Sequence, residues 1–160
     1  MDLRILEIAS NTANHKIVKN HTHHSKNKNP LCGDEMEIRL IVKNDKIKDM
    51  GYQCRSCVYC QASVSMLSQK IIDQNISDIK SLIISIEGLF NETDIKIEKK
   101  WNDFKEIMNK DNISRKECLL LPFKTISNRL PVLRIRKSHS PLPTPLALNY
   151  TPPHYRPYSS

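Results

Sequence analysis

The sequence predicts an α+β domain, a β-hairpin in its first half followed by a run of helices, with a proline-rich tail behind it. Three observations carry this reading. Residues 36–43 alternate apolar and polar with a period of two, the spacing of a strand with one buried face. From residue 58 onward apolar residues recur at helical spacing. Seven of the nine prolines fall within residues 131–160, where no period is visible. A chain of 160 residues is long enough for one domain with its own core and short for two. The folded unit is therefore expected over residues 1–130, and residues 131–160 as a basic, largely disordered tail.

The elements follow in order. Leu3, Ile5, Leu6, Ile8 and Ala9 form a short helical face. Residues 11–29 are polar and read as a loop, with His21, His23 and His24 as solvated side chains rather than a metal tract. Met36, Ile38, Leu40 and Val42 give the first strand. Asn44, Asp45 and Lys46 turn the chain, and Ile47, Met50 and Tyr52 give a second strand that delivers Cys54 at its far end. Gly51 is expected to mark a bulge. Ala62, Met66, Leu67 and Ile71 predict a helix that starts inside the cysteine cluster. Ser77 or Asp78 is expected to cap the next helix, which buries Ile79, Leu82, Ile83 and Ile86 and stops near Gly88. A weaker helical stretch surrounds Trp101, Phe104, Ile107 and Met108. Ser114 and Glu117 form a capping-box pattern ahead of Cys118, Leu119, Leu120 and Leu121, and Pro122 is placed to kink that last helix.

Composition narrows the function. No stretch approaches the roughly 18 to 20 apolar residues of a membrane span, and the opening MDLRILEIAS carries acids without a basic start. The chain reads as soluble and cytoplasmic, with no membrane role. The formal charge is +8, yet Arg134, Arg136, Lys137 and Arg156 lie in a segment without acids. Without those four, 21 basic residues face 17 acidic ones, and aromatics are too sparse for a base-stacking platform. Nucleic-acid binding is not expected. Five cysteines with no export signal indicate reduced thiols and metal or sulfur chemistry instead of a disulfide framework.

The thiols carry the functional signal. Cys32 and Asp34 flank Gly33, and in an extended chain residues two apart point the same way. Cys57 and Cys60 are three apart on the opening turn of a helix. Cys118 lies in the first turn of another helix, where the positive end of the dipole favours a thiolate. Three element ends thus offer sulfur and carboxylate donors, compatible with zinc, an iron-sulfur cluster or sulfur exchange. A ferredoxin-type site is disfavoured: Cys54, Cys57 and Cys60 open its pattern, but Val64 and Ser65 stand where the fourth cysteine and proline belong. A purely structural zinc knot lacks a second close ligand pair. At least one cysteine is expected to be a small buried hydrophobe, with Cys54 or Cys60 as the candidate.

NPLCGD at 29–34, CVYCQASVSML at 57–67 and RKECLLLPFKTI at 115–126 together resemble the U-type iron-sulfur cluster assembly scaffold family, to which IscU and the N-terminal part of NifU belong. The separations, 25 positions from Cys32 to Cys57 and 61 from Cys57 to Cys118, are most similar to the Suf type. The resemblance covers roughly residues 1–130. It implies an α+β fold of the SufE/IscU kind, a small antiparallel sheet covered by helices. It implies a scaffold or carrier, more than an enzyme, that takes sulfur from a cysteine desulfurase, builds or relays a transient iron-sulfur cluster, and serves recipient apo iron-sulfur proteins. A zinc-dependent sulfurtransferase that accepts persulfide and stimulates the desulfurase is the alternative it implies. On the matching positions, Cys32, Cys57 and Cys118 would be the ligand cysteines for a cluster, and with Asp34 they would hold a metal, zinc or iron. The Suf likeness points to Cys32 as sulfur acceptor, an Isc-like mechanism to Cys118. This chain departs from the family pattern in five places: Cys54 and Ser56 where glycines are usual, Cys60 where Ser is common, Glu117 in place of a basic residue, and no LPPVK-like segment before Cys118.

Overall fold

The structure is a computed structural model that describes residues 2–90 and 96–130. The predicted tail at 131–160 lies outside the described residues. Helix α1, Leu3–Ser10, starts on Asp2, whose side chain accepts from the Arg4 amide, and buries Ile5 and Ala9. Three strands follow: β1 His23–Lys28, β2 Glu35–Lys43 and β3 Lys46–Arg55. They form one antiparallel sheet in the order β1-β2-β3. Helices α2, Val58–Lys70, and α3, Ile76–Leu89, come next. Two 3₁₀ helices, Lys99–Glu106 and Lys110–Arg115, then lead into α4, Lys116–Ser127.

The predicted hairpin is β2 and β3. Asn44 and Asp45 both take positive φ, at 51° and 58°, the two-residue turn whose twist matches the flanking strands and which Asn and Asp tolerate. The bulge is not at Gly51. Ile41 pairs with Asp49 and Val42 with Ile47, so Lys48 is the extra residue. Gly51 is needed for another reason: a Cβ there would lie 2.4 Å from the Lys16 carbonyl oxygen of the covering loop. In that loop the Asn14 carbonyl also accepts from the Tyr52 amide, and His15 stacks on the Tyr52 ring.

Strand β1 lies inside the segment read as a loop. Its sequence HHSKNK has no apolar alternation, and only Ser25 is buried. Backbone pairing with β2 and charge complementarity on the outer face replace that signal. Lys28 meets Glu35 at 3.0 Å, and Glu37 receives Lys26, His24 and Arg39. Such exposed pairs contribute a few tenths of a kcal/mol each, about 0.2 to 1. The histidines stand on or beside this strand with hydrogen-bond partners of their own: His24 bonds Glu37, His21 bonds the Val18 carbonyl and His23 meets Thr22.

The inner face of the sheet, Met36, Ile38, Leu40, Met50 and Tyr52, packs into one core with the buried faces of α2, α3 and α4 and with Trp101 and Phe104. Phe104 stands edge-on to Phe123, ring centroids 5.5 Å apart. Helix α3 has Asn75 as its N-cap residue, not Ser77 or Asp78, and ends at Leu89, next to Gly88 as expected, with Gly88 buried within its last turn. Asp78 is instead drawn to Lys100, 2.7 Å away. The weak helical stretch around Trp101 is the first 3₁₀ helix. The capping box before α4 does not form. A 3₁₀ turn enters α4 directly, so Ser114 is not at a free helix end, and Glu117 accepts from Lys124 at 2.6 Å. Pro122 lies inside α4, which continues to Ser127. The small antiparallel sheet covered by helices is the predicted fold class.

Candidate metal and sulfur centre

Three element ends meet at one edge of the sheet. The first is the turn between β1 and β2. The Asn29 amide donates to the Asp34 carbonyl and the Gly33 amide to the Asn29 carbonyl, each at 2.8 Å, while the Asn29 side chain accepts from the Leu31 amide at 3.0 Å. Gly33 closes this turn at φ 76°, a left-handed conformation that glycine takes without steric penalty. Cys32 and Asp34 therefore converge through a tight turn, not through the extended chain expected from their spacing. The turn leaves Cys32 exposed and Leu31 82 % exposed, and buries Asp34.

The second end is the start of α2. Cys57 is its N-cap residue, with ψ 164°, and its amide donates to Asp34 Oδ1 at 3.0 Å. The third is the start of α4, which places the buried Cys118 thiol 3.5 Å from that of Cys32. Ser63 of α2 fastens the two helices: its hydroxyl, fully buried, donates to the Leu119 carbonyl at 2.6 Å. Arg115 lies over the Tyr59 ring, 5.5 Å from its centroid, at the same junction.

The donor atoms of Cys32, Asp34 and Cys118 all lie within 4.8 Å of one another. Two thiolates bound tetrahedrally at 2.3 Å would stand about 3.8 Å apart, close to the spacing seen here. Asp34 supplies a further sign. Its Oδ1 is satisfied by Cys57, but its Oδ2 is buried with no hydrogen-bond partner, an arrangement that is unfavourable unless a cation completes it. The residues present therefore fit a thiolate-and-carboxylate metal site. Cys57 stands beside this group and not inside its tightest set. Its thiol adjoins Asp34 and Cys118, and both shift it.

Electrostatics separates the thiols. Burial pushes the Cys118 thiol well above the ordinary thiol range, reinforced by hydrogen bonding from Cys32 and Cys57 and by the Asp34 charge. The helix N-terminus expected to favour its thiolate is thus outweighed by burial. Cys57 is raised chiefly by burial, against a backbone hydrogen bond that acts the other way. Bound metal would reverse the preference, since a coordinating thiol is deprotonated. Cys60 is the buried hydrophobe expected of one cysteine: it is fully enclosed and raised mainly by desolvation. Cys54 is half-buried and likewise raised by burial. Outside the thiols, a cleft of about 470 Å³ leads to Cys32, Gly33 and Asp34 between Lys28, Glu35, Arg55 and Ser56.

Of the predicted site residues, Cys32, Asp34 and Cys118 are brought together, with Cys57 alongside. Asn29 and Ser63 escaped the sequence reading. Asn29, directly before a proline in a turn, carried a usable signal, because Asn side chains commonly accept the amide two residues on. Ser63, one serine among several in an apolar helix, carried none.

Against known proteins, residues 3–100 match the family model of the NifU-like N-terminal domain. The chain belongs to that family. Cys32, Asp34 and Cys57 lie within the matched residues and Cys118 beyond them. A relative from Thermotoga maritima, the iron-sulfur cluster assembly scaffold protein IscU, is 32 % identical over 108 residues, 64 % of this chain and 72 % of that protein. Among solved structures, one from Fervidobacterium islandicum AW-1, assigned as an iron-sulfur cluster assembly scaffold for the SUF system, superposes with a TM-score of 0.76 at 22 % identity, covering 82 % of this chain and 96 % of that one. The N-terminal part of a NifU-like protein from Brucella abortus gives 0.73 at 20 % identity, covering 79 % and 89 %. These two establish the shared fold, and the family match together with the Thermotoga maritima relative places this NifU-like chain in the iron-sulfur cluster assembly scaffold family. Among the described residues no helix is long and apolar enough to cross a membrane.

Proposed function

We propose that this NifU-like chain is a cytoplasmic assembly scaffold that accepts sulfur from a cysteine desulfurase, builds or relays an iron-sulfur cluster as cargo, and passes it to recipient apo proteins. Cys32, Cys57 and Cys118 are the proposed cluster ligands, and Asp34 joins them in the metal site. The observation that carries this reading is the buried, unpartnered Asp34 Oδ2 beside two thiols at 3.5 Å. The exposed Cys32 at the mouth of the cleft suits a sulfur acceptor, since an incoming persulfide must reach a thiol from solvent.

The mixed set of thiols and carboxylate also favours a second reading, a zinc-dependent sulfurtransferase that stimulates the desulfurase without holding a cluster. Cys32, Asp34, Cys57 and Cys118 would then hold the ion, which would keep its sulfur ligands deprotonated. Both readings require sulfur to arrive on a thiol of the site. Incubation with a cysteine desulfurase and free cysteine, followed by alkylation and peptide mapping, is expected to find sulfane sulfur on Cys32 or Cys118, or a disulfide between the two where that sulfur has been released as sulfide. The absence of both would leave a metal-stabilised binding module.

A further inference from the structure

We propose that Cys118 is a resolving thiol, which attacks a persulfide on Cys32 and releases its outer sulfur as sulfide. The inference rests on the reading that Cys32 accepts sulfur. A desulfurase delivers sulfur in the zero-valent, sulfane state, whereas a cluster contains sulfide, so two electrons have to be supplied at the scaffold.

The pair at the site is arranged for that step. Cys32 is exposed and Cys118 is buried directly behind it, thiol to thiol at 3.5 Å. A donor can reach the first, while the second is screened from outside thiols and faces Cys32. A disulfide needs an S–S separation near 2.05 Å, so the sulfurs must close by about 1.5 Å. Cys32 sits in a turn and not in a helix or strand, next to a glycine at φ 76°, and the shift falls on that exposed segment.

In the step, Cys118 Sγ forms a bond to Cys32 Sγ and the bond from Cys32 Sγ to the outer sulfur breaks. The outer sulfur takes the bonding pair, goes from zero-valent to sulfide, and leaves with the Cys118 proton as hydrogen sulfide. The two cysteine sulfurs together lose two electrons. No external reductant enters this turnover, and a dithiol reductant of the thioredoxin class restores the pair. The other thiols are less well placed: Cys60 is sealed in the core, and Cys57 lies outside the tight group.

The test uses the full chain, reduced and freed of metal by chelation, with its fold checked by circular dichroism. One equivalent of glutathione persulfide is added anaerobically to wild type and to Cys118→Ser. Wild type is expected to lose 2 Da, map a Cys32–Cys118 disulfide and release about one sulfide per chain, the stoichiometry of the exchange. Cys118→Ser is expected to keep an added sulfur on Cys32. A stable added sulfur on Cys32 of the wild type, or a disulfide mapping to Cys54, Cys57 or Cys60, would overturn the resolving role and leave sulfur acceptance intact. A wild type with neither added sulfur nor a disulfide at Cys32 would remove sulfur acceptance, and the inference with it. The wild-type map decides even if the variant does not fold.

Discussion

At the scale of single residues, Asp34 carries a buried unpartnered oxygen beside thiols that burial pushes up, and a bound cation would suit both. Asp34→Asn keeps an oxygen for the Cys57 amide while removing the charge from the unpartnered side of the carboxylate. It is expected to weaken metal binding at least tenfold, the loss typical even of outer-shell changes, while the metal-free protein keeps its melting temperature or gains a little. A competition titration and thermal melts would check this, and unchanged affinity would remove Asp34 from the ligand set. Cys60 makes a different prediction, in pH. Burial holds its thiol neutral well above the range in which an exposed thiol ionises. The folded chain therefore keeps a proton that the unfolded chain releases near pH 9. Stability from this group is intact below about pH 9 and falls as pH rises beyond it. Denaturant unfolding of metal-free protein at about pH 7.5 and about pH 10 should show a smaller loss for Cys60→Ala than for wild type. Equal losses would mean that Cys60 does not titrate with unfolding.

At the scale of elements, the site depends on where a turn and two helix starts are held. Gly33→Ala meets no steric neighbour within 4 Å, so only its φ of 76° opposes it. The expected loss is about 1 to 2 kcal/mol, with weaker metal binding because Cys32 shifts against Asp34. Gly33→Asn should recover part of both, since Asn tolerates this conformation. If Ala matches wild type in melting and metal affinity, the turn is not what aligns the pair. Ser63→Ala removes the bond from α2 to the Leu119 carbonyl and leaves that carbonyl buried, a loss of about 1 to 3 kcal/mol, read as a lower denaturant midpoint. The hairpin, α1, α2 and the body of α4 were legible because apolar periodicity and the Asn44-Asp45 turn report them directly. Strand β1 was not, because it is held by backbone pairing and surface charge, neither of which leaves a period in HHSKNK. The S-x-x-E pattern before Cys118 misled because a local motif cannot show that a 3₁₀ turn already occupies the helix entrance.

At the scale of the whole molecule, the candidate site is mounted on one continuous core. Buried residues from α1, the sheet, α2, α3, α4 and the 3₁₀ segment around Trp101 form one cluster, and the site lies at its edge. Chelation should therefore lower the melting temperature while leaving a cooperative transition, unlike small zinc modules that unfold without metal. A chelated chain without cooperative melting would make the metal a structural staple. The candidate ligands were legible as residues, from their motifs and order, but their convergence was not, since 61 positions, with α2, α3 and both 3₁₀ helices among them, separate Cys57 from Cys118 and only tertiary packing joins them. The most direct measurement is iron, zinc and acid-labile sulfide analysis after anaerobic purification of the wild type and of Cys32→Ala, Cys57→Ala and Cys118→Ala. The scaffold function predicts iron with sulfide in the wild type and its loss in all three variants. Stoichiometric zinc without sulfide, unchanged in the variants, would contradict it.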